Sequence, residues 1–290
     1  MKLILSFILL TNFLFSQTVI GDWDFESAPS GGTFTDGSSR TISANLSSGA
    51  TMTHGTSVGF DGSNCAKFNM STVAWGFYAG FTKSLSGSQV NIRFLMKWNS
   101  GWLSGNGSDG KFMMVSKAGG DGERSWIEWQ EPCAILGAYR QFMIAAQNTS
   151  YKEWHGNGQN PTSCGYVAVA HVDAANPIQL SNYTGTWVCI ELEVNNSGDY
   201  NLYVSTDDSV FTDRYIGSER GATSNITGII TSFFEDCSYS ASDYYLIDEL
   251  RVETGRSADD PIGVPSGFYD VEEPPVQEET TIIYQTWSDD

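Results

Sequence analysis

The sequence is short of positive charge. Lysine and arginine together number 15 against 34 aspartates and glutamates, for a formal net charge of −19. Such a chain repels phosphate backbones and anionic lipid, so no nucleic-acid partner is expected. The same balance argues against an anionic polysaccharide unless basic residues gather locally. Charged residues are only 17% of the chain, too few for long charged helices, and apolar residues at helical spacing are scarce. No CxxC pair occurs, which leaves zinc ribbons and thioredoxin-type redox sites without support. Nucleophile elbows, phosphate loops and metalloprotease motifs are missing as well, and Gly156-Asn-Gly158 lacks the strand–turn–helix context of a dinucleotide loop. Beyond Phe15 no apolar run is long enough to cross a bilayer, so no membrane insertion is expected.

What is present points to an exported β protein. Residues 1–16 carry Lys2, then an apolar stretch from Leu3 to Phe15 and a small residue, Ser16, the pattern of a signal peptide cleaved before Gln17. The expected location is therefore secreted, extracellular or at the cell surface. Five cysteines (Cys65, Cys133, Cys164, Cys189 and Cys237) allow two disulfides and one free thiol in an oxidising compartment. Cys133–Cys164 is a reasonable pairing because loop-like sequence flanks both, although connectivity is not readable from spacing.

Short alternating runs separated by Gly, Asn, Ser and Asp turns cover most of the chain. Twelve read as strands: 19–26, 66–69, 75–83, 90–98, 111–117, 125–131, 139–147, 167–171, 187–194, 200–205, 226–234 and 244–252. Trp187 to Ser205 is a hairpin, with WVCIELEV and YNLYVS on either side of the NNSGD turn. The fold class expected is all-β: an antiparallel β-sandwich of the jelly-roll type with about twelve strands. It would occupy residues 17–256, followed at 257–290 by an acidic, Pro-rich linker or tail. The closing TTIIYQTWSDD resembles the start of another strand, so further domains C-terminal to this chain are a possible continuation.

Two alternating runs, Arg124-Ser-Trp-Ile-Glu-Trp-Gln-Glu-Pro and Tyr139-Arg-Gln-Phe-Met-Ile-Ala-Ala-Gln147, carry the strongest hint of a binding surface. Ile127 and Trp129, like Phe142 and Ile144, are apolar enough to face the core. The opposite faces hold Arg124, Trp126, Glu128, Gln130, Tyr139, Gln141 and Gln147. Aromatic rings stack on the C–H faces of sugars, while amides, carboxylates and guanidinium groups hydrogen-bond hydroxyls. A polysaccharide or other glycan is thus the expected ligand. The loops at 99–110 and 148–165, the second containing Trp154, would wall the site; an ordinary solvated face with incidental aromatics is the plainer alternative.

The opening Asp22-Trp-Asp-Phe-Glu26 and the closing Tyr245-Leu-Ile-Asp-Glu-Leu-Arg-Val252 resemble the terminal strands of the concanavalin A-like (lectin/glucanase, laminin-G-like) jelly-roll superfamily. The central NIRFLMKWNSGW and KFMMV runs resemble extracellular carbohydrate-binding modules and polysaccharide lyases on that fold. The resemblance spans residues 19–254 on short motifs, and implies function only by analogy. It also implies a structural Ca²⁺ held by Asp24, Glu26 and Asp248, since calcium takes several hard oxygen ligands; solvent-facing strand carboxylates are the alternative.

Catalysis is left open. A retaining glycosidase needs two carboxylates about 5–5.5 Å apart. Glu128 and Glu131 fall on opposite faces of a strand, and Glu191 and Glu193 read as solvated carboxylates on an outer strand. The E-x-D-x-E pattern of jelly-roll glucanases is absent. If the chain is an enzyme, a polysaccharide lyase cleaving a uronic-acid glycan by β-elimination is the better fit, with Tyr139, Gln141 and His155 as catalytic groups. The strand motifs of such lyases are nonetheless missing. A non-catalytic structural or adhesion domain of a larger surface protein is the third reading.

Overall fold

The computed structural model describes residues 17–46, 49–70, 77–104, 109–118, 124–128, 143–147, 152–156, 167–170, 180–197, 199–206, 213–218, 224–235, 239–257 and 260–268. Seventeen strands occur among them: β1 (Thr18–Trp23), β2 (Thr33–Thr35), β3 (Thr41–Leu46), β4 (Thr51–Gly55), β5 (Cys65–Asn69), β6 (Phe77–Gly87), β7 (Gln89–Trp98), β8 (Asp109–Lys117), β9 (Arg124–Glu128), β10 (Met143–Gln147), β11 (Lys152–Gly156), β12 (Val167–Ala170), β13 (Val188–Asn195), β14 (Asp199–Ser205), β15 (Asp213–Ser218), β16 (Ile226–Glu235) and β17 (Tyr244–Thr254). The one α-helix among the described residues, α1, is the five-residue Ser100–Ser104.

The strands form two sheets. The first runs β15-β14-β13-β7-β17-β5-β4, with β1 also on β17; the second runs β12-β11-β10-β9-β8-β16-β6-β3-β2. All pairings are antiparallel except β11 with β12. The all-β sandwich expected from the alternation is what forms, and each of the twelve runs read as strands has a counterpart.

The inter-sheet core is aromatic. Phe25 and Phe81 stack at 5.2 Å, Phe34 meets Phe25 edge-on at 4.8 Å, and Phe68 stacks on Tyr245 at 5.0 Å. Trp102, read from sequence as part of a glycine-rich wall at 99–110, is buried instead and lies 5.6 Å from Trp98. Strand β7 shows why alternation alone misleads. Val90, Ile92, Phe94, Met96 and Trp98 join the inter-sheet core, yet Asn91, Arg93 and Leu95 on its other side are buried too.

The cover on that second side is the segment 260–268. The backbone N–H groups of Ile262 and Gly263 donate to the Glu191 carboxylate at 2.7 and 3.1 Å. Phe268 packs 5.2 Å from Phe60, which in turn meets Trp187. Beneath lie Cys65, Leu95, Trp187, Cys189 and Leu246 as a second apolar cluster. Part of the expected tail is therefore a strap across the first sheet. The strap corrects one reading: Glu191 and Glu193 are not solvated but 0% and 2% exposed. Burial raises the Glu191 carboxyl, while Asn91 and the two strap N–H groups pull the other way.

Cys65 and Cys189 are free thiols. They stand on β5 and β13, separated by β17 and β7. Three strand spacings amount to roughly 14 Å, too far for a disulfide. Cys133, Cys164 and Cys237 lie outside the described residues.

A buried carboxylate pins the first strands. Asp36 accepts the N–H groups of Asp22, Ser38 and Arg40 at 3.1, 2.9 and 2.8 Å, and the Arg40 Nε at 2.7 Å. Burial alone would raise its carboxyl, but these donors hold it below the ordinary value. Its stabilisation is present above the unfolded pKa near 4 and is lost as pH falls through the depressed folded value. Asp36→Ala orphans several donors at once and is expected to cost roughly 3 kcal/mol, read as a lower denaturant midpoint at unchanged slope.

Candidate functional site

Register orders the far half of the second sheet. Ser125 pairs with Val115 and Ile127 with Phe112. Ser125 and Ile127 share one set of positions along β9, and Arg124, Trp126 and Glu128 the alternate set. Strand β10 continues the pattern: Ile144 pairs with Ile127 and Ala146 with Ser125, while Met143, Ala145 and Gln147 pair with Glu128, Trp126 and Arg124. Gln130, Tyr139 and Gln141 lie outside the described residues.

Strand β11 was not expected. The segment 148–165 reads as a loop because Gly, Asn and Pro surround its aromatics, but Lys152–Gly156 pairs with β10. Trp154 consequently sits at a fixed register position opposite Ala145, and Lys152 opposite Gln147. His155 pairs with Ile144, in the row that continues to Ile127. It belongs to the other face of the sheet from Arg124, Trp126 and Trp154.

A β-bulge faces Trp126. Phe112 pairs with Ile127 and Val115 with Ser125, so Met113 and Met114 both stand against Trp126. Met113 is buried and has φ +50°, a left-handed conformation that an unbranched side chain adopts only at a cost of order 1 kcal/mol. The bulge lies in β8 opposite Trp126.

The residues expected to hold calcium meet at a different place. Asp24, Glu26 and Asp248 line one recess of about 400 Å³ with Asp61, Glu249 and Ser63. Backbone irregularities on both terminal strands shape it. After β1 ends at Trp23, Phe25 takes φ +56° and turns its ring into the core between the two carboxylates. On β17, Glu249 takes φ +49° within a register shift between Asp248 and Arg251.

Asp248 is 1% exposed. Its Oδ2 accepts the Phe60 N–H at 3.0 Å and the Ser63 hydroxyl at 3.4 Å, and its Oδ1 the Glu249 N–H at 2.9 Å. Burial pushes its carboxyl up to about 7; these backbone donors lower it, while the neighbouring Glu249 and Glu26 charges raise it. Burial raises Glu249 as well, with the Arg93 charge opposing. Glu26 accepts the Asn64 N–H at 2.9 Å. The recess therefore fits a hard dication in charge and donor class. Among the described residues no three Asp, Glu, His or Cys side chains are drawn together closely enough to hold a metal unaided, so backbone carbonyls and water would have to complete a shell.

No protein-family model and no curated protein sequence matches the chain. Solved structures do. The CBM2 module of the evolved Dit protein of Lactobacillus casei BL23 phage J-1 aligns with TM-score 0.50 at 9% identity, over 83% of this chain and 97% of that one. The cellulose-induced protein Cip1 aligns at 0.45 and 16% identity, over 77% and 93% of the two chains. The endo-β-1,4-glucuronan lyase of the fungus Trichoderma reesei aligns at 0.43 and 10% identity, over 73% and 90%. At such identities the likeness is one of fold, a β-sandwich shared with a carbohydrate-binding module.

Proposed function

We propose that the chain is an exported carbohydrate-binding β-sandwich module whose glycan site is the outer face of β9, β10 and β11. The observation that carries this reading is the register. Backbone pairing gives Arg124, Trp126, Glu128, Gln147 and Trp154, from three strands, register positions of one and the same face, which supports a shared site. Aromatic, amide, carboxylate and guanidinium groups on one face suit the alternating C–H and hydroxyl surfaces of a sugar. The β-elimination alternative draws less support, because His155 belongs to the other face. Binding without cleavage is the function put forward.

The test is a polysaccharide panel, neutral and uronic-acid-containing, incubated with the chain starting at Gln17 in calcium. Retention of protein without unsaturated-uronate absorbance or new reducing ends supports the module. A rise in absorbance replaces it with a lyase. Silence in both channels leaves a structural or adhesion domain.

We further propose that Asp24, Glu26 and Asp248 hold a structural Ca²⁺ that fastens the two terminal strands together. The ion would supply positive charge to a recess whose buried carboxylate otherwise has only N–H and hydroxyl partners. Export itself is tested by sequencing the mature N-terminus, expected at Gln17.

A further inference from the structure

Strand β7 carries a buried cation at Arg93, which is 5% exposed. Its neighbours across the sheet are Glu191 of β13 on one side and Arg251 of β17 on the other. Glu191 gives its carboxylate to Asn91 and to the strap N–H groups of Ile262 and Gly263. Arg251 is a second guanidinium, and like charges directly opposite on paired strands destabilise a sheet. Among the described residues the carboxylate that pairs with Arg93 is Glu249, whose Oε2 stands 3.8 Å from Nη2, beyond hydrogen-bond reach. Arg93 Nη2 donates instead to the Glu249 backbone carbonyl at 3.2 Å. Arg93 Nε is buried with no hydrogen-bond partner among the described residues. A buried guanidinium ordinarily has both its charge and its N–H groups satisfied.

These groups open on a recess of about 480 Å³ between the first sheet and the strap. Arg93, Arg251 and Arg256 line it with Asp22, Glu249 and Glu253. Three of the 15 lysines and arginines of the chain thus meet in one place. The carboxylates there are already engaged. Glu253 Oε1 accepts Arg251 Nε at 2.6 Å, and its Oε2 accepts Arg256 Nη1 at 2.6 Å and the Gln17 amide. Asp22 Oδ2 accepts Arg251 Nη1 at 2.7 Å. Arg256 donates its Nε and Nη2 to the Asp260 and Pro261 carbonyls. The acceptors are taken and a donor is left over at Arg93, so an oxygen acceptor from outside would complete the set.

The lining also sets the charge of that acceptor. A guanidinium fork matches a group with two oxygens. With three carboxylates beside three arginines the recess is close to neutral. It accommodates one negative charge between Arg93 and Arg251, and the neighbouring carboxylates repel a second. The volume lies within the range of small-molecule sites.

We propose that this recess is a binding site for a small organic carboxylate, seated between Arg93 and Arg251 beside the strap. It lies on the first sheet, away from β9–β11, and does not depend on the glycan reading. Because sheet and strap both line the recess, an occupant ties residues 260–268 to β7 and β17.

The experiment is thermal unfolding and calorimetric titration with sodium acetate at neutral pH, against sodium chloride at equal ionic strength and against inorganic phosphate. Acetate should raise Tm by several degrees over chloride. Phosphate, partly a dianion, should raise it less. Backbone amide exchange at Ile262 and Gly263 should slow in acetate. Arg93→Lys keeps the charge and loses the fork, and should weaken acetate about tenfold. Arg93→Met removes a poorly partnered buried charge, so it should fold without a ligand and lose the acetate response. Circular dichroism of each variant checks that the sheet is intact. Equal Tm in acetate and chloride with no heat of binding, or an acetate response that survives in folded Arg93→Met, overturns the site. Phosphate binding more tightly than acetate overturns the assignment to a carboxylate.

Discussion

A chain ending at Arg256 should melt far below the full chain and expose thiols that the full chain protects. The strap at 260–268 covers the outer side of the first sheet, where Leu95, Cys189, Trp187 and Leu246 form an apolar cluster with Phe268. Phe268 is 5% exposed, and truncating a buried phenylalanine costs about 3–5 kcal/mol. Phe268→Ala alone should therefore lower Tm by roughly 10 °C at the 2–4 °C per kcal/mol of a domain this size. Removing the whole strap takes away more, since Glu191 loses the Ile262 and Gly263 donors and Arg256 its bonds to the Asp260 and Pro261 carbonyls. Thiol labelling followed by peptide mapping separates local uncovering from unfolding. Burial raises the Cys65 thiol to about 12 and pushes Cys189 higher still, so both should resist labelling in the full chain. In the truncated chain they should react at denaturant concentrations that leave the sheet folded. Equal protection and equal Tm in the two chains would show that the strap contributes nothing.

The strap also shows where reading the sequence stops. WVCIELEV alternates cleanly, and alternation ordinarily means one wet face. Glu191 became dry because residues 260–268, which read as linker by their Pro, Gly and acidic content, return over it, and the buried Glu193 accepts hydrogen bonds from Gln89 and Asn201 instead of water. The signal was present in Ile262, Val264 and Phe268, spaced through that segment, but apolar residues among prolines carry no periodicity to weigh. The existence of β9 and β10 as strands was legible for the opposite reason. Each has a period of two over enough residues to separate Ile127 and Ile144 from Arg124 and Trp126. Pairing between strands was not legible. Nothing in KEWHG states that it hydrogen-bonds to MIAAQ, and so Trp154 read as a loop residue. Five strands escaped notice, and three of them (β2, β4 and β15) close an edge of their sheet. An edge strand has one neighbour and little burial to imprint a pattern. Asp24, Glu26 and Asp248 could be placed together only through the resemblance of the chain's two ends. The left-handed turns at Phe25 and Glu249 that shape their recess leave no mark on composition.

Asp248 gives the second large effect, and its sign runs against the usual carboxylate. The carboxyl titrates near 7 in the folded protein, against 3.8 in the unfolded chain. The folded state therefore holds the proton more tightly. Its contribution is fully present below about pH 4 and is lost as pH rises through 7, where the charge must be carried inside an acidic recess. A displacement of roughly three pKa units corresponds to a loss on the order of 4 kcal/mol across that window. In chelator, Tm should accordingly fall by about 10 °C between pH 4 and pH 7.5. Glu191 and Glu249, both raised, add to the same slope, whereas Asp36 and Glu253, both lowered, act at more acid pH. Asp248→Asn isolates the one group: it should flatten the profile above pH 4 by the amount assigned to Asp248. Calcium should do the same in the parent chain, because an ion beside Asp248 stabilises the charged form and converts a cost at neutral pH into a gain. A saturating ion at about a hundred times its Kd contributes about 2.7 kcal/mol, so Tm at pH 7.5 should rise by several degrees on adding calcium. In Asp248→Asn that increment should shrink or vanish. A parent chain whose Tm ignores calcium at pH 7.5, but whose chelator profile still falls between pH 4 and 7, would keep the buried carboxyl and sink the ion.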